Sequence, residues 1–345
     1  MRKRRRLWRF PAILILPLIL LALGWTGVWY VAAGRVSANL LAWERQQRAQ
    51  GWTITHGQPR RSGWPMAAGV RLPGIKVSGG SRYVAGGVVW QADGLTLAVD
   101  IRHLGKLYWG VTGRQSLAVA KGPAIPFQAT TFAGQMALSP GDAARLLRLH
   151  AAGLIAAIRA ADGTPQPLSV ATLDAAVSAD GTADATGNAL IVAARMAGVG
   201  LPPHLLPVLG RSLRSLSFDM ALSGPVPAMP DPSAGVTAWQ KAGGSLALRA
   251  LHLADGTLTL SGHGRFQLDA SLSPEGTVAL HLAGLHDTVE RLVAQGTLTR
   301  PEATAILAVL GLMMRPVGAD ALDAPVSLRD GLISLGAIPL LRLPL

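Results

Sequence analysis

Two hydrophobic patterns divide the chain. Phe10 to Ala33 is an unbroken run without a charged residue. From about residue 83 apolar and polar residues mostly alternate. The first pattern predicts a helix able to cross a bilayer core, which takes about 20 residues. The second predicts strands with one apolar side each, because successive strand side chains point to opposite faces. Between them, Val36, Leu40 and Trp43 recur at helical spacing over 35–50, and Gly51 is placed to end that helix. A strand is expected at 52–56, a turn at Arg60-Arg61-Ser62-Gly63-Trp64-Pro65, and a further strand at 68–77.

Alternation is visible at Leu95, Leu97, Val99 and Ile101, less cleanly over 111–119, and again at Leu216, Phe218, Met220 and Leu222. It is clearest over 246–285. There Leu258, Leu260, Gly262, Gly264, Phe266, Leu268, Ala270 and Leu272 hold one parity against polar odd positions, which predicts one long strand over 257–272. Val278, Leu280 and Leu282 continue in the next strand. A three-residue loop at Pro274-Glu275-Gly276 would set Leu272 opposite Val278. Ala254-Asp255-Gly256 would likewise set Leu258 opposite His252. Asp-Gly pairs at 93–94, 162–163, 180–181, 255–256 and 330–331 read as turn punctuation without a fixed period.

Helical stripes interrupt the alternation. Leu147, Ala151, Leu154, Ile155 and Ile158 predict a covering helix over 140–161. A helical pair is expected at 287–294 and 301–313, with Thr299 as N-cap, and a short helix at 202–213. Four prolines mark 224–236 as a loop and a point of possible subdivision. The apolar end, 332–345, reads as an edge strand and an extended tail. The domains expected are a basic tail (1–9), an anchor (10–33), a helical connector (34–51) and a β-rich domain (52–345).

Charge gives the topology. Of the net charge of +13, six positives lie in residues 2–9, ahead of the apolar run. Lys/Arg-rich flanks stay cytoplasmic, so the bulk of the chain is expected on the far side. Trp25, Trp29 and Tyr30 gather at the outer end of the run, where aromatic rings anchor a helix at a membrane interface. Val31-Ala32-Ala33 is the competing reading, a signal-peptide cleavage site. The remaining excess is dispersed, which argues against nucleic acid as a partner and suits a membrane with anionic head groups. The chain has no cysteine, so disulfides, thiolate metal sites and thiol redox chemistry are excluded.

Signatures of catalysis are missing. There is no Gly-x-Ser-x-Gly elbow and no phosphate loop, and Gly262 and Gly264 lie inside a strand pattern. His263 and His281 fall on the polar parity and are expected to pair across strands with Asp287 and Asp269. His252 falls on the apolar parity. Asp93, Asp162, Asp180, Asp255, Glu275 and Asp330 read as turn residues. No enzyme activity, metal or cofactor is expected.

The basic start, the single span, the helix containing Trp43 and ending at Gly51, and the Arg61-Ser62-Gly63-Trp64-Pro65 turn form an ordered set. With the long amphipathic strands and the closing Asp330-Gly331-Leu332-Ile333-Ser334-Leu335-Gly336-Ala337-Ile338-Pro339-Leu340, the set resembles domain-of-unknown-function family 2125 (DUF2125) of Gram-negative envelopes. That family looks related to the AsmA-like group of inner-membrane-anchored periplasmic proteins. The resemblance implies a curved sheet with an apolar inner face and no catalytic residues.

The expectation is therefore a transmembrane helix followed by a mainly β, strongly curved antiparallel sheet with a few covering helices. It would sit in the inner membrane as a single-pass protein with a periplasmic bulk. The favoured role is non-catalytic lipid handling or scaffolding, with phospholipid or another acyl lipid held against Leu258, Leu260, Phe266, Leu268, Leu280 and Leu282. The alternatives are a structural partner of envelope proteins, docking through the C-terminal tail, and an exported enzyme of unrecognised type.

Overall fold

The computed structural model describes residues 9–81, 84–101, 103–138, 144–159, 163–180, 187–202, 212–224, 232–256, 258–296, 298–313, 321–335 and 338–342. Of these, the side chains at 9–21, 103–104, 144–145, 180, 232–233, 309–313, 324, 335 and 338–342 lie outside the description. Helix α1 (Arg9–Ala49) leads into β1 (Thr53–Thr55), β2 (Arg60–Ser62), β3 (Ala67–Gly79), β4 (Val88–Asp100), β5 (His103–Val119), β6 (Ile125–Gln128) and β7 (Thr131–Ala137). Next come β8 (Ala144–Arg159), β9 (Pro165–Asp180), β10 (Asn188–Gly200), β11 (Ser212–Ser223) and α2 (Pro232–Lys241). Then follow β12 (Ser245–Asp255), β13 (Leu258–Leu268), β14 (Pro274–Ala283), α3 (Leu285–Ala294), α4 (Arg300–Met313), β15 (Ala321–Arg329), β16 (Leu332–Leu335) and β17 (Ile338–Arg342). The fold is mainly β, one large antiparallel sheet with a few helices.

Helix α1 ends where its sequence says it should. Gly51 takes φ 87°, its N–H bonds to the Arg48 carbonyl, and Trp52 N–H reaches back to Gln47. This is a Schellman ending, which satisfies carbonyls that the helix leaves free. The apolar run 10–33 lies inside α1, but much of it falls on side chains outside the description. Among the described residues no helix is long and apolar enough to cross a membrane.

From β3 to β17 the sheet is a meander, with each strand antiparallel to its neighbour in sequence. Strands β6 and β7 share one rung between β5 and β8. Strands β1 and β2 pair with the two ends of β3.

A transverse row of kinks crosses this sheet. Gly74 on β3 faces Asp93 on β4, which lies against the bulge at Gly113 on β5; Gly153 on β8 faces Ala171 on β9, which faces Gly198 on β10. Gly74, Gly113, Gly153 and Gly198 all have positive φ, between 59° and 80°. Such backbone costs an L side chain about 1–2 kcal/mol per residue, so glycine holds these positions. At the row the apolar face changes parity. Leu72 and Ile75 lie on the same side of β3, as do Ala151 and Leu154 on β8, Leu173 and Val170 on β9, and Met196 and Val199 on β10.

The row corrects one expectation. Of the covering helix expected over 140–161, the described part, 144–159, is β8, inside the sheet. Its apolar positions run 147, 149, 151, then 154, 156, 158. The parity step at Gly153 makes a strand imitate helical spacing. It also corrects Asp93-Gly94, which sits within β4. There the Asp93 carboxylate accepts the Arg114 N–H at 2.7 Å, where the bulge on β5 leaves that donor without a ladder partner.

The β12–β14 turns differ from expectation as well. Leu268 pairs with Pro274, so the chain turns over 269–273, and Pro274, Glu275 and Gly276 belong to β14. The cause is Asp269. Its carboxylate accepts the N–H groups of Ser271 and Ser273, each at 2.8 Å, and the Ser271 hydroxyl at 2.7 Å, while Leu272 takes φ 64°. These bonds hold the Asp269 carboxyl below the usual carboxylate range, the Ser271 hydroxyl contributing most. At the preceding hairpin Asp255 pairs with Leu258, one residue tighter than the expected loop. His252 therefore faces Ser261 and lies on the polar face. A bulge at 249–250 absorbs the lost residue, keeping Leu246, Leu248, Leu251 and Leu253 together on the apolar face.

The helical pair α3–α4 forms as expected. Thr299 and Glu302 make a capping box: Thr299 N–H donates to Glu302 at 2.8 Å, and the Thr299 hydroxyl caps in return. Of the short helix expected at 202–213, residues 203–211 lie outside the described residues and Ser212 and Leu213 open β11 instead; of the loop expected at 224–236, residues 225–231 lie outside them and 232–236 open α2. The C-terminal segment forms two paired strands, β16 and β17, where one edge strand was expected.

The core is confined. One cluster joins Leu40 of α1 to Val70, Leu72, Ile75, Ala92 and Val111, with Val36, Trp90 and Trp109 packed around it. A second, smaller cluster gathers Val170, Val199 and Leu213 at the kink row. The accessible surface is 21958 Å². A compact protein of 35.9 kDa would expose about 13,000 Å². Among the described residues a broad sheet with only a partial second layer contributes to this excess.

Candidate functional site

The six leucine and phenylalanine candidates share the apolar face of the β13–β14 hairpin. Leu260 stands opposite Leu282, Leu280 opposite Gly262, Phe266 opposite Gly276 and Leu268 opposite Pro274. Two of these side chains lie down over glycine. A Cβ on Gly262 would come within 2.6 Å of Leu280 Cδ2, and one on Gly276 would collide with the Phe266 backbone and ring. Leu258 alone is buried, at the end of the hairpin near α3. The other five are half-buried; α3 touches β13, and Gln240 of α2 donates to the Leu268 carbonyl at 3.5 Å. Here α3 is moored at the hairpin end through Arg291, which donates to the buried Asp255 at 2.9 Å.

The opposite face of the same strands is polar and hollow. One cross-strand row runs His150, Asp174, Arg195, Ser217, His252, Ser261, His281 and Asp323 from β8 to β15. His150 bonds to Asp174 at 2.8 Å and His281 to Asp323 at 2.6 Å. His–Asp pairing across strands was expected, but the partners differ: His281 faces Ser261 and Asp323, not Asp269, and His263 faces Ala279, not Asp287. Along this row lie a hollow of about 860 Å³ and a smaller one of about 490 Å³, both bordered by Ala250 and His252. Of the six apolar candidates only Leu280 borders either hollow. The described residues contain no group of three or more metal-ligating side chains. With both aspartates of the row answered by histidines, it can hold solvated polar groups. It shows no nucleophile paired with a base. The 249–250 bulge that puts His252 in this row was legible as a slip from even to odd leucines between 248 and 251.

At the other end of the sheet, α1 lies on the apolar face of β3–β5. Its last turns carry a buried carboxylate, Glu44, 2% exposed. Arg48 Nη2 donates to it at 3.2 Å and His56 Nε2 meets it at 2.8 Å, which ties α1 to the chain leaving β1. The expected anchor residues also make intramolecular contacts. Trp25 Nε1 donates to the Pro65 carbonyl at 2.9 Å and Trp29 Nε1 to that of Ala67 at 2.6 Å. The Arg61 guanidinium lies 3.7 Å from the centre of the Tyr30 ring, a cation–π contact. Trp25 and Tyr30 remain exposed all the same.

Comparison with curated proteins gives no match, and comparison with solved structures gives none. A family model described as an uncharacterized protein conserved in bacteria (DUF2125) matches residues 29–344, almost the whole chain, and the chain belongs to that family.

Proposed function

We propose that this protein is a single-pass, inner-membrane-anchored envelope protein with a periplasmic sheet, and that it shields lipid acyl chains on the apolar face of that sheet without catalysing a reaction. One observation carries the reading. The apolar face is continuous from β3 to β15, yet α1 covers only its first strands. Leu246, Leu251, Leu260, Phe266, Leu280 and Leu282 stay half-buried. Contact with lipid tails would remove this surface from water at about 0.8 kcal/mol per methylene covered. The face also begins beside α1, whose apolar run reads as the membrane span, so an acyl chain leaving the bilayer meets it first.

The test is native mass spectrometry of the full chain, extracted from membranes in mild detergent, with the bound lipid identified. Retained phospholipid that is lost in Leu260→Arg and Leu268→Asp, both still folded by circular dichroism, supports the reading. Equal lipid retention in the variants, absence of lipid, or unfolding of both variants overturns it, the last because those side chains would then be ordinary core.

A further inference from the structure

We propose that the β2–β3 turn is a membrane-surface wedge: Trp64 and Met66 seat among lipid head groups beside α1, while Arg35, Arg60 and Arg61 meet lipid phosphates. The inference rests on the reading of α1 as a membrane span. Three contacts fix the turn to the helix: the Trp25 and Trp29 indole N–H groups on the carbonyls of Pro65 and Ala67, and Arg61 over Tyr30. All three fall at residues 25–30, the outer end of the apolar run. The turn itself is tight. Gly63 takes φ 93° and accepts the Ala67 N–H at 2.8 Å, and a Cβ on Gly63 would come within 2.6 Å of the Ala67 carbonyl oxygen.

At this level the apolar side chains point outward. Trp64 is 59% and Met66 58% exposed, and Leu23, Val28, Tyr30 and Val31, flanking Trp25 and Trp29 along α1, are each more than half exposed. Apolar exposure gathered from two elements at one height marks an interaction surface. Its composition selects the partner. Tryptophan and tyrosine favour the bilayer interface, and the exposed Arg35, Arg60 and Arg61 complement anionic head groups. Because the turn is already braced, docking orders little new backbone. The wedge would hold the β3 end of the sheet against the bilayer, so that the apolar face opens at the membrane surface.

The chain has no cysteine, so single substitutions place a nitroxide label cleanly. Met66→Cys, Leu23→Cys and Lys76→Cys in the full chain are labelled and reconstituted in vesicles of phosphatidylcholine and phosphatidylglycerol. Labels at 23 and 66 should be accessible to oxygen and protected from a water-soluble nickel chelate, with the reverse at 76. Adding Arg60→Ser and Arg61→Ser should raise nickel access at 66 severalfold and leave 23 unchanged; unchanged access at 66 overturns the cationic part. A label at 66 that behaves like the one at 76, while 23 stays in lipid, overturns the wedge and leaves the span intact. Nickel access at 23 overturns both.

Discussion

The two ends of the sheet carry the same apolar face under different conditions. On β3–β5 it is a core: Val70, Leu72 and Ile75 are buried beneath Val36 and Leu40 of α1. On β12–β15 most of the equivalent positions, Leu260, Leu280 and Leu282 among them, are half-buried, while Leu258 and Leu322 are buried. The alternation is as regular in the second region as in the first. Strand pattern therefore fixes which side is apolar, whereas a separate element decides whether that side becomes core. The difference separates a structural region, where substitution costs stability, from an open one, where substitution should change what binds.

The sharpest way to break this contrast is to remove the same side chain at both ends. Leu72→Ala leaves a cavity under α1 and should cost about 2–5 kcal/mol in urea unfolding. Leu280→Ala removes a half-exposed side chain resting on Gly262 and should cost about 1 kcal/mol, from partial loss of buried apolar area. Equal losses at the two positions would mean that the far end is also packed, and the division into core and open face would fail.

A smaller effect tests what joins the two regions. The kink row crosses from β3 to β10 and keeps the apolar face on one side while each strand changes parity. At Gly74 a Cβ meets nothing within 4 Å, so Gly74→Ala isolates the backbone cost of φ 59°, about 1–2 kcal/mol. Gly153→Ala adds a contact, since its Cβ would lie 2.6 Å from Thr130 Oγ1, and should cost more than Gly74→Ala. If Gly153→Ala proves neutral by thermal unfolding, the positive φ there is not required and the row does not shape the sheet.

The same row sets what could be read from the chain. Alternation announced β4, β11, β13 and β14, and the C-cap at Gly51 and the N-cap at Thr299 were local signals. Strand β8 was not legible, because Leu147, Ala151, Leu154 and Ile158 on either side of Gly153 satisfy helical spacing. Only the neighbouring strands, whose partner positions step at the same place, reveal the kink. The apolar candidates on β13 and β14 were found because their parity is unbroken. The polar row escaped, because it is assembled from single residues on eight strands and depends on register. The expected registers failed at both β12–β14 turns, where two-residue and Asp269-centred turns replaced loops chosen from proline and glycine alone.

The smallest effect lies at that second turn, in the open region, and it depends on pH. The Asp269 carboxyl is held below the usual range by hydrogen bonds made to its ionised form, first from the Ser271 hydroxyl and then from the Ser273 N–H. A carboxylate with a lowered folded-state pKa stabilises the fold above its unfolded-state value, and the contribution disappears as pH falls through the lowered value. The Ser271 and Ser273 amides should thus be protected from hydrogen exchange at neutral pH and lose protection in acid, while the Leu72 amide keeps its own. Asp269→Ala should remove that protection at neutral pH and abolish its acid dependence. Since solvent surrounds this turn, the change should stay local to β13 and β14. Spread of the exchange change into β3–β5 would show that the open and covered ends unfold as one cooperative unit, and that α1 stabilises both.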